Sequence, residues 1–239
     1  MYSHRSSTGP VDLAFTDRYD GVSAVPFDSL NLALVGDDDP DAVRRNLDLL
    51  LEDFAPGADL ADMEQVHGAT VGLAVSPADG PRQRCDALVS DRADLSLMVR
   101  VADCVPVLLA DPDAGVIGAA HAGRKGVAVG VVGACVERMG ELGARTMTAW
   151  VGPHICGRCY EVPAELQQEV ADLEPVTAST TSWGTPALDI GAGVTAQLDR
   201  LGVRVHDISG CTLESRDLYS HRRDGARAGR FAGVVRMRA

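Results

Sequence analysis

Residues 101–126 read "VADCVPVLLADPDAGVIGAAHAGRKG", two apolar runs on either side of the turn formers "DPDAG". Each run has the length of a strand, and a four-residue hairpin loop over Asp111–Ala114 is a common way to join two strands. On that register Ala110 pairs with Gly115, and Cys104 falls directly opposite His121. Opposed residues of an antiparallel pair share a face, with Cβ atoms about 4.5–5.5 Å apart. A thiol and an imidazole placed so can converge on one ion or one proton. Pro106 has no amide to give to a ladder and must lie at an edge or bulge. A slip of one residue there would send the two side chains to opposite faces.

Three readings fit the pair. Cys104 can be a buried thiol beside a hydrogen-bonded core histidine. It can be a nucleophile activated by His121, as in Cys–His hydrolases. Or both can bind a metal, since zinc takes sulfur and imidazole nitrogen and a catalytic site keeps three protein ligands and an open position. The metal reading needs a third ligand. His67, in "EQVHGAT", ends a predicted strand beside a glycine and is the favoured candidate. His154 and His221 stay open in loops, His206 lies within a predicted strand, and His4 falls in an expected frayed tail. The pair Cys156 and Cys159 in "CGRC" has no second CxxC and no thioredoxin-like surroundings, so buried thiols are the plainer expectation there.

The chain has 239 residues, 46% hydrophobic and 23% charged, and a formal charge of −12. That composition supports a buried core, and one domain over 1–239 is expected. The negative charge argues against a nucleic-acid or anionic-membrane partner. No apolar run approaches the roughly 20 residues of a membrane span, and the N-terminus lacks a signal-peptide core, so a cytoplasmic location is expected. Six cysteines in such a chain do not suggest a disulfide framework. The one lysine among 22 basic residues is Lys125, in "GRKG".

Asp39 as N-cap and Pro40 at the first helical position predict a helix to Phe54, with Val43, Leu47, Leu50, Leu51 and Phe54 as its apolar stripe. Helices are also expected over 127–142, from Pro163 to about Asp172, and from Ile190 to Leu201 with Gly202 ending it. Strands are expected around Gly68, in "DALVSD", "LSLMVRVAD", "TMTAWVGP", "VRVHDIS" and "RFAGVVRMR", and a surface loop in "EPVTASTTSWGTP". Strands outnumber helices without strict alternation, which predicts an α+β fold.

Seven ordered segments resemble the YfiH-like laccase-domain family: "SLNLALVGDD", "QVHGATV", "DALVSD", "VADCVPVLLADP", "AAHAGRKG", "VGPHICGRCYEV" and "SHRRDGARAGRFAGVV". Its members are described as multicopper polyphenol oxidases and as purine nucleoside phosphorylases. The resemblance implies an α+β fold of layered mixed and antiparallel sheets flanked by helices, related to a group of Cys–His deamidases. It implies His67, Cys104 and His121 as ligands of a catalytic metal, zinc or alternatively copper. It also implies phosphorolysis of adenosine, inosine, guanosine and methylthioadenosine, and deamination of adenosine, with purine nucleosides and phosphate as small-molecule partners.

A zinc-bound water ionises near neutral pH, and Asp103, beside Cys104, is the candidate proton shuttle, although regular alternation would put it on the opposite face. Arg124 and Lys125 are candidate phosphate ligands where a helix begins, and Asn31 is a candidate for ribose or phosphate. Similar proteins mostly carry Trp-Arg at 124–125, a glycine at Asp20 and a tyrosine at His221, so base stacking and phosphate binding are the points of departure. Rival readings are a copper-dependent polyphenol oxidase, a metal-free Cys–His hydrolase and a non-catalytic partner protein.

Overall fold

The computed structural model describes residues 1–75, 81–93, 95–208 and 210–238. In chain order the first half supplies β1 (Tyr2–Thr8), β2 (Val11–Thr16), α1 (Pro40–Phe54), β3 (Asp59–Ala61), β4 (Met63–Glu64), β5 (Val71–Leu73), β6 (Gln83–Arg84), β7 (Ala87–Ser90) and β8 (Leu95–Val101). Residues 101–126 then give β9 (Val105–Asp111), β10 (Val116–Ala122) and the start of α2 (Arg124–Ala128), which α3 (Val131–Glu141) follows. The remainder gives β11 (Thr148–Val151), α4 (Ala164–Leu173), β12 (Ala178–Thr180), β13 (Pro186–Leu188), α5 (Ile190–Arg200), β14 (Arg204–Asp207), α6 (His221–Asp224) and β15 (Phe231–Met237).

Two mixed sheets result. One has the order β1-β2-β15-β8-β3 and the other β14-β11-β9-β10-β7-β5. Alternation along the strands builds the layers. Leu13, Phe15, Leu97, Val99, Phe231 and Val235 of the first sheet share one core with Leu108, Ala110, Ile117 and Ala119 of the second. The outer face of the first sheet, with Ala14, Met98 and Val234, is covered by Leu50 and Phe54 of α1. The outer face of the second, with Val107, Leu109 and Ala120, packs on α3 and α5 through Val132, Cys135, Val194 and Leu198. The fold is therefore α+β, in helix–sheet–sheet–helix layers.

α1 follows its sequence closely. The Asp39 side chain accepts from the Asp41 amide, Pro40 opens the helix, and Leu50 and Phe54 are buried. Full burial of such a side chain contributes about 1.5–3 kcal/mol, and the cap about 1 kcal/mol.

The hairpin departs from the expected register by two residues. Val116 pairs with Asp111 and His121 with Pro106, so the loop is residues 112–115. Asp111 stays in the ladder while its carboxylate accepts from the Asp113 and Ala114 amides, and Gly115 takes a left-handed φ of 69°. A slip of two preserves the face. Cys104 and His121 still share the face between the sheets, but they are diagonal neighbours, and the residue opposite Cys104 is Gly123.

Other expectations are corrected by local chemistry. The helix expected over 127–142 is broken at Gly130, whose φ of 81° leaves α2 and α3 as separate pieces. His4 sits in β1 rather than a frayed tail. The expected loop "EPVTASTTSWGTP" contains β12, which pairs with β13 beginning at the loop's last residue, Pro186. The last residue of "VRVHDIS", Ser209, lies outside the described residues. Asp20 adopts a left-handed φ of 69°.

Candidate metal centre

Three chain segments deliver the three expected ligands to one point. β8 belongs to the first sheet and β9 to the second, so residues 102–104 carry the chain between them. Cys104 sits at that crossing, half-buried against the core between the sheets. His121 approaches from β10 and is buried. His67 comes from the loop after β4 and is exposed. One nitrogen of each imidazole and the Cys104 sulfur lie within 4.8 Å of one another. The two rings meet edge to face with centroids 4.8 Å apart.

Asp86 organises this arrangement, and the sequence reading missed it. Its carboxylate is fully buried and accepts from the amides of His67 at 2.8 Å and Gly68 at 2.7 Å, with Val66 at 3.2 Å. Three successive amides can converge on one anion only if the backbone curls into a nest, and His67 takes a left-handed φ of 62° to do so. The same carboxylate lies 2.8 Å from Nδ1 of His121. That bond fixes the ring and leaves Nε2 for the cluster, as the partner of a metal-ligating histidine does. Burial would push the Asp86 carboxyl up, yet His121 and the loop amides outweigh it and hold it below its usual range.

The metal-free pair is strongly polarised. Burial would push the Cys104 thiol up, but the His121 charge and hydrogen bonds from both imidazoles bring it down to about 6. Burial would lower His121, and the Cys104 thiolate together with Asp86 raises it to about 9. A thiolate beside two imidazoles is a donor set that a borderline-soft cation fits. Gly123 supplies a further sign of fit. A Cβ there would lie 3.1 Å from both the Cys104 sulfur and Cδ2 of His67, crowding the space where the ligands converge.

A cleft of about 780 Å³ opens over the cluster. Its lining includes Arg124, Lys125, Asp103, Tyr160, Arg222 and His221. Arg124 opens α2 and Lys125 follows it, and neither makes an ion pair among the described residues. Asp103 precedes β9 with a φ of 85°, so strand alternation does not govern it and it reaches the cleft wall. Its carboxylate accepts from the Thr212 hydroxyl and the Arg222 amide, both at 2.6 Å. Asn31 is not brought to the cluster. It is buried, donates to Asp38 and accepts from the amides of Ala33 and Arg230, so it holds the backbone of a cleft residue instead.

Comparison with known proteins places this arrangement. Residues 12–238 match the family model described as multi-copper polyphenol oxidoreductase laccase. A Streptomyces coelicolor protein named purine nucleoside phosphorylase is 50% identical over 98% of this chain and 99% of its own length. The crystal structure of a Neisseria meningitidis protein superposes with a TM-score of 0.88 at 30% identity over 99% of each chain. That of the hypothetical protein YfiH from Bacillus licheniformis gives 0.87 at 25% identity, over 99% of this chain and all of that one. With the match spanning both sheets and every segment of the cluster, the chain belongs to the multi-copper polyphenol oxidoreductase laccase family, the YfiH-like proteins.

Proposed function

We propose that the chain is a zinc-dependent purine nucleoside phosphorylase acting on adenosine, inosine, guanosine and methylthioadenosine, with adenosine deaminase activity at the same site. The observation that carries this reading is the His67–Cys104–His121 cluster lining a cationic cleft, and the name of the Streptomyces relative supports it. The chain bears a net charge of −12, yet Arg100, Arg124, Lys125, Arg222 and Arg230 line this cleft against Glu64 and Asp103. Such a local reversal of sign suits a small anion. Arg100 is already paired with Asp62, and Arg230 donates to backbone carbonyls. Arg222 donates to the Glu161 carbonyl and lies over Tyr160, which leaves Arg124 and Lys125 for inorganic phosphate.

His67, Cys104 and His121 would hold the zinc, which when bound supplies Lewis-acid charge at the reacting end of the cleft. Asp86 keeps the Nδ1 proton of His121 directed away from the ion. Tyr160 and Ile155 give the purine an apolar wall, and the Arg222 guanidinium lies 5.0 Å from the centre of the Tyr160 ring. In phosphorolysis the bond from ribose C1′ to the base breaks and a C1′–phosphate bond forms, so a phosphate fixed by Arg124 and Lys125 supplies most of the orientation. In deamination water replaces the amino group, which leaves as ammonia. A proton must pass from that water to the leaving nitrogen, and Asp103, held in place by Thr212 and Arg222, is the carboxylate we assign to carry it.

The test is chromatography of adenosine incubated with zinc-loaded protein, with and without phosphate. Adenine and ribose 1-phosphate are expected only with phosphate, and inosine in either case. A zinc-loaded protein that releases no base from any purine nucleoside contradicts the reading. The family description favours one alternative, a copper-dependent polyphenol oxidase, because Cu(II) also binds nitrogen and sulfur ligands tightly. Oxygen-dependent phenol oxidation by the copper-loaded protein, without phosphorolysis, would select it.

A further inference from the structure

A second group of metal-type donors lies apart from the cleft cluster, built by two turns distant in sequence. Cys156 and Cys159 flank a tight turn in which the Cys156 carbonyl accepts from the amides of Cys159 and Tyr160 at 2.9 and 3.0 Å. Cys211 and Glu214 flank another, closed by the Ser215 amide on the Cys211 carbonyl at 2.9 Å. A short parallel bridge lays the two turns side by side: His154 donates to Gly210 and Thr212 donates to His154, each at 3.0 Å. One donor atom from each of Cys156, Cys159, Cys211 and Glu214 then lies within 4.8 Å of the other three.

We propose that Cys156, Cys159, Cys211 and Glu214 form a second, structural zinc site that staples the wall of the cleft. Zinc–sulfur bonds of about 2.3 Å at tetrahedral angles need sulfurs about 3.8 Å apart, which small side-chain rotations reach from the spacing here. Four protein donors fill the tetrahedron, the closed arrangement of a structural ion. Three sulfurs exclude the hard cations calcium and magnesium. The turn is also fixed from below, because a Cβ on Gly157 would meet Asp189, the residue that caps α5, at 2.6 Å.

Three thiols and one carboxylate from two separate turns converge on one point, a donor set suited to a borderline-soft cation. The ordinary apolar cysteines of this fold are Cys85 and Cys135, each set among core side chains and outside both donor clusters. Binding is a simple exchange: one divalent ion displaces three thiol protons, and the site of three thiolates and one carboxylate carries a net charge of −2. No oxidant is needed, as a disulfide would require.

The staple has an evident object. Ile155 and Tyr160 bracket the first turn and line the cleft. Thr212 follows Cys211 and donates to Asp103. Arg223 gathers the carbonyls of Thr212, Leu213 and Ser215, while its neighbour Arg222 lies over Tyr160. One ion between the two turns thus fixes both sides of the wall that faces the reacting end. This inference does not depend on the nucleoside chemistry.

The test uses the whole chain purified under reducing conditions, with metal measured by mass spectrometry. A His67→Ala/His121→Ala variant, emptied at the cleft, is expected to retain one equivalent of zinc. Replacing that zinc with cobalt should give tetrahedral visible bands and strong near-ultraviolet thiolate-to-cobalt absorption. Cys156→Ser/Cys211→Ser should lose one equivalent and keep the cleft metal. The cobalt spectrum needs no cysteine replacement, so it decides the matter even if that variant misfolds. A His67→Ala/His121→Ala protein with no stoichiometric zinc and no such absorption overturns the proposal. So does a disulfide among Cys156, Cys159 and Cys211 in the protein as purified.

Discussion

The two donor clusters differ in ways that separate chemistry from support. The cleft cluster has three donor residues, two offering nitrogen and one sulfur, under an open cleft, and a buried carboxylate orients one of its rings. The second has four donors, three of them sulfur, on paired turns. An ion at the first keeps a position for a reactant, and an ion at the second has none to spare. The fold reflects the same division. Where the two sheets part, the chain bends through left-handed residues at His67 and Asp103 to aim side chains into space. At the cysteine turns it closes on itself.

The sharpest way to break this contrast is at Asp86. Asp86→Asn places an amide where three backbone N–H groups and His121 need an acceptor. Loss of such a partner costs about 10–100-fold in metal affinity or activity, and the unsatisfied buried donors cost about 1–3 kcal/mol of stability. Zinc retention and turnover measured together should fall in parallel, while the equivalent bound by the cysteine turns remains.

Gly123→Ala should act on the cleft cluster alone. Its added carbon would press on Cys104 and His67, so we expect about a tenfold loss of turnover, within the range that sub-ångström misplacement produces, with unchanged melting temperature. Turnover equal to the parent would mean that the ligands do not need that space.

Arg124→Ala and Lys125→Ala test the phosphate assignment. Each should raise KM for phosphate, Arg124 by about tenfold because a charge-assisted bond contributes about 1.5 kcal/mol or more, and Lys125 by less. Deamination, which uses no phosphate, should be nearly untouched. Equal losses in both reactions would place these residues elsewhere in the mechanism.

The smallest effect is a pH signature of the metal-free chain. Cys104 ionises near 6 and His121 stays protonated to about 9, so a thiolate–imidazolium pair spans that interval. The depressed thiol stabilises the fold at higher pH and loses that contribution as pH falls through about 6. The raised imidazole stabilises it at lower pH and loses its contribution as pH rises through about 9. Iodoacetamide should therefore modify Cys104 at a rate that levels off just above pH 6, and zinc should protect it. A rate rising through the usual thiol range of about 8–9 would contradict the pairing.

Much of this was legible in the sequence where one local rule governed. Asp39, Pro40 and the leucine stripe specified α1 to the residue, and the period of two in 101–126 put Cys104 and His121 on one face although the loop slipped by two. What stayed hidden depended on contacts between distant segments. Asp86 begins a predicted strand and looks like a turn residue until the His67 loop folds over it. Cys156 and Cys159 look like an isolated pair until the His154–Cys211 bridge brings in the third sulfur. Gly130 broke a helix that its apolar spacing alone would continue, because only the left-handed φ separates α2 from α3.

The most direct test of the central claim is a zinc titration of chelator-treated protein, with hypoxanthine release from inosine followed in the presence of phosphate. The account predicts that activity returns in proportion to occupancy of His67, Cys104 and His121, and that His121→Ala stays silent at any zinc concentration. Phosphorolysis that persists in the metal-free protein, or that survives in His121→Ala, would contradict it.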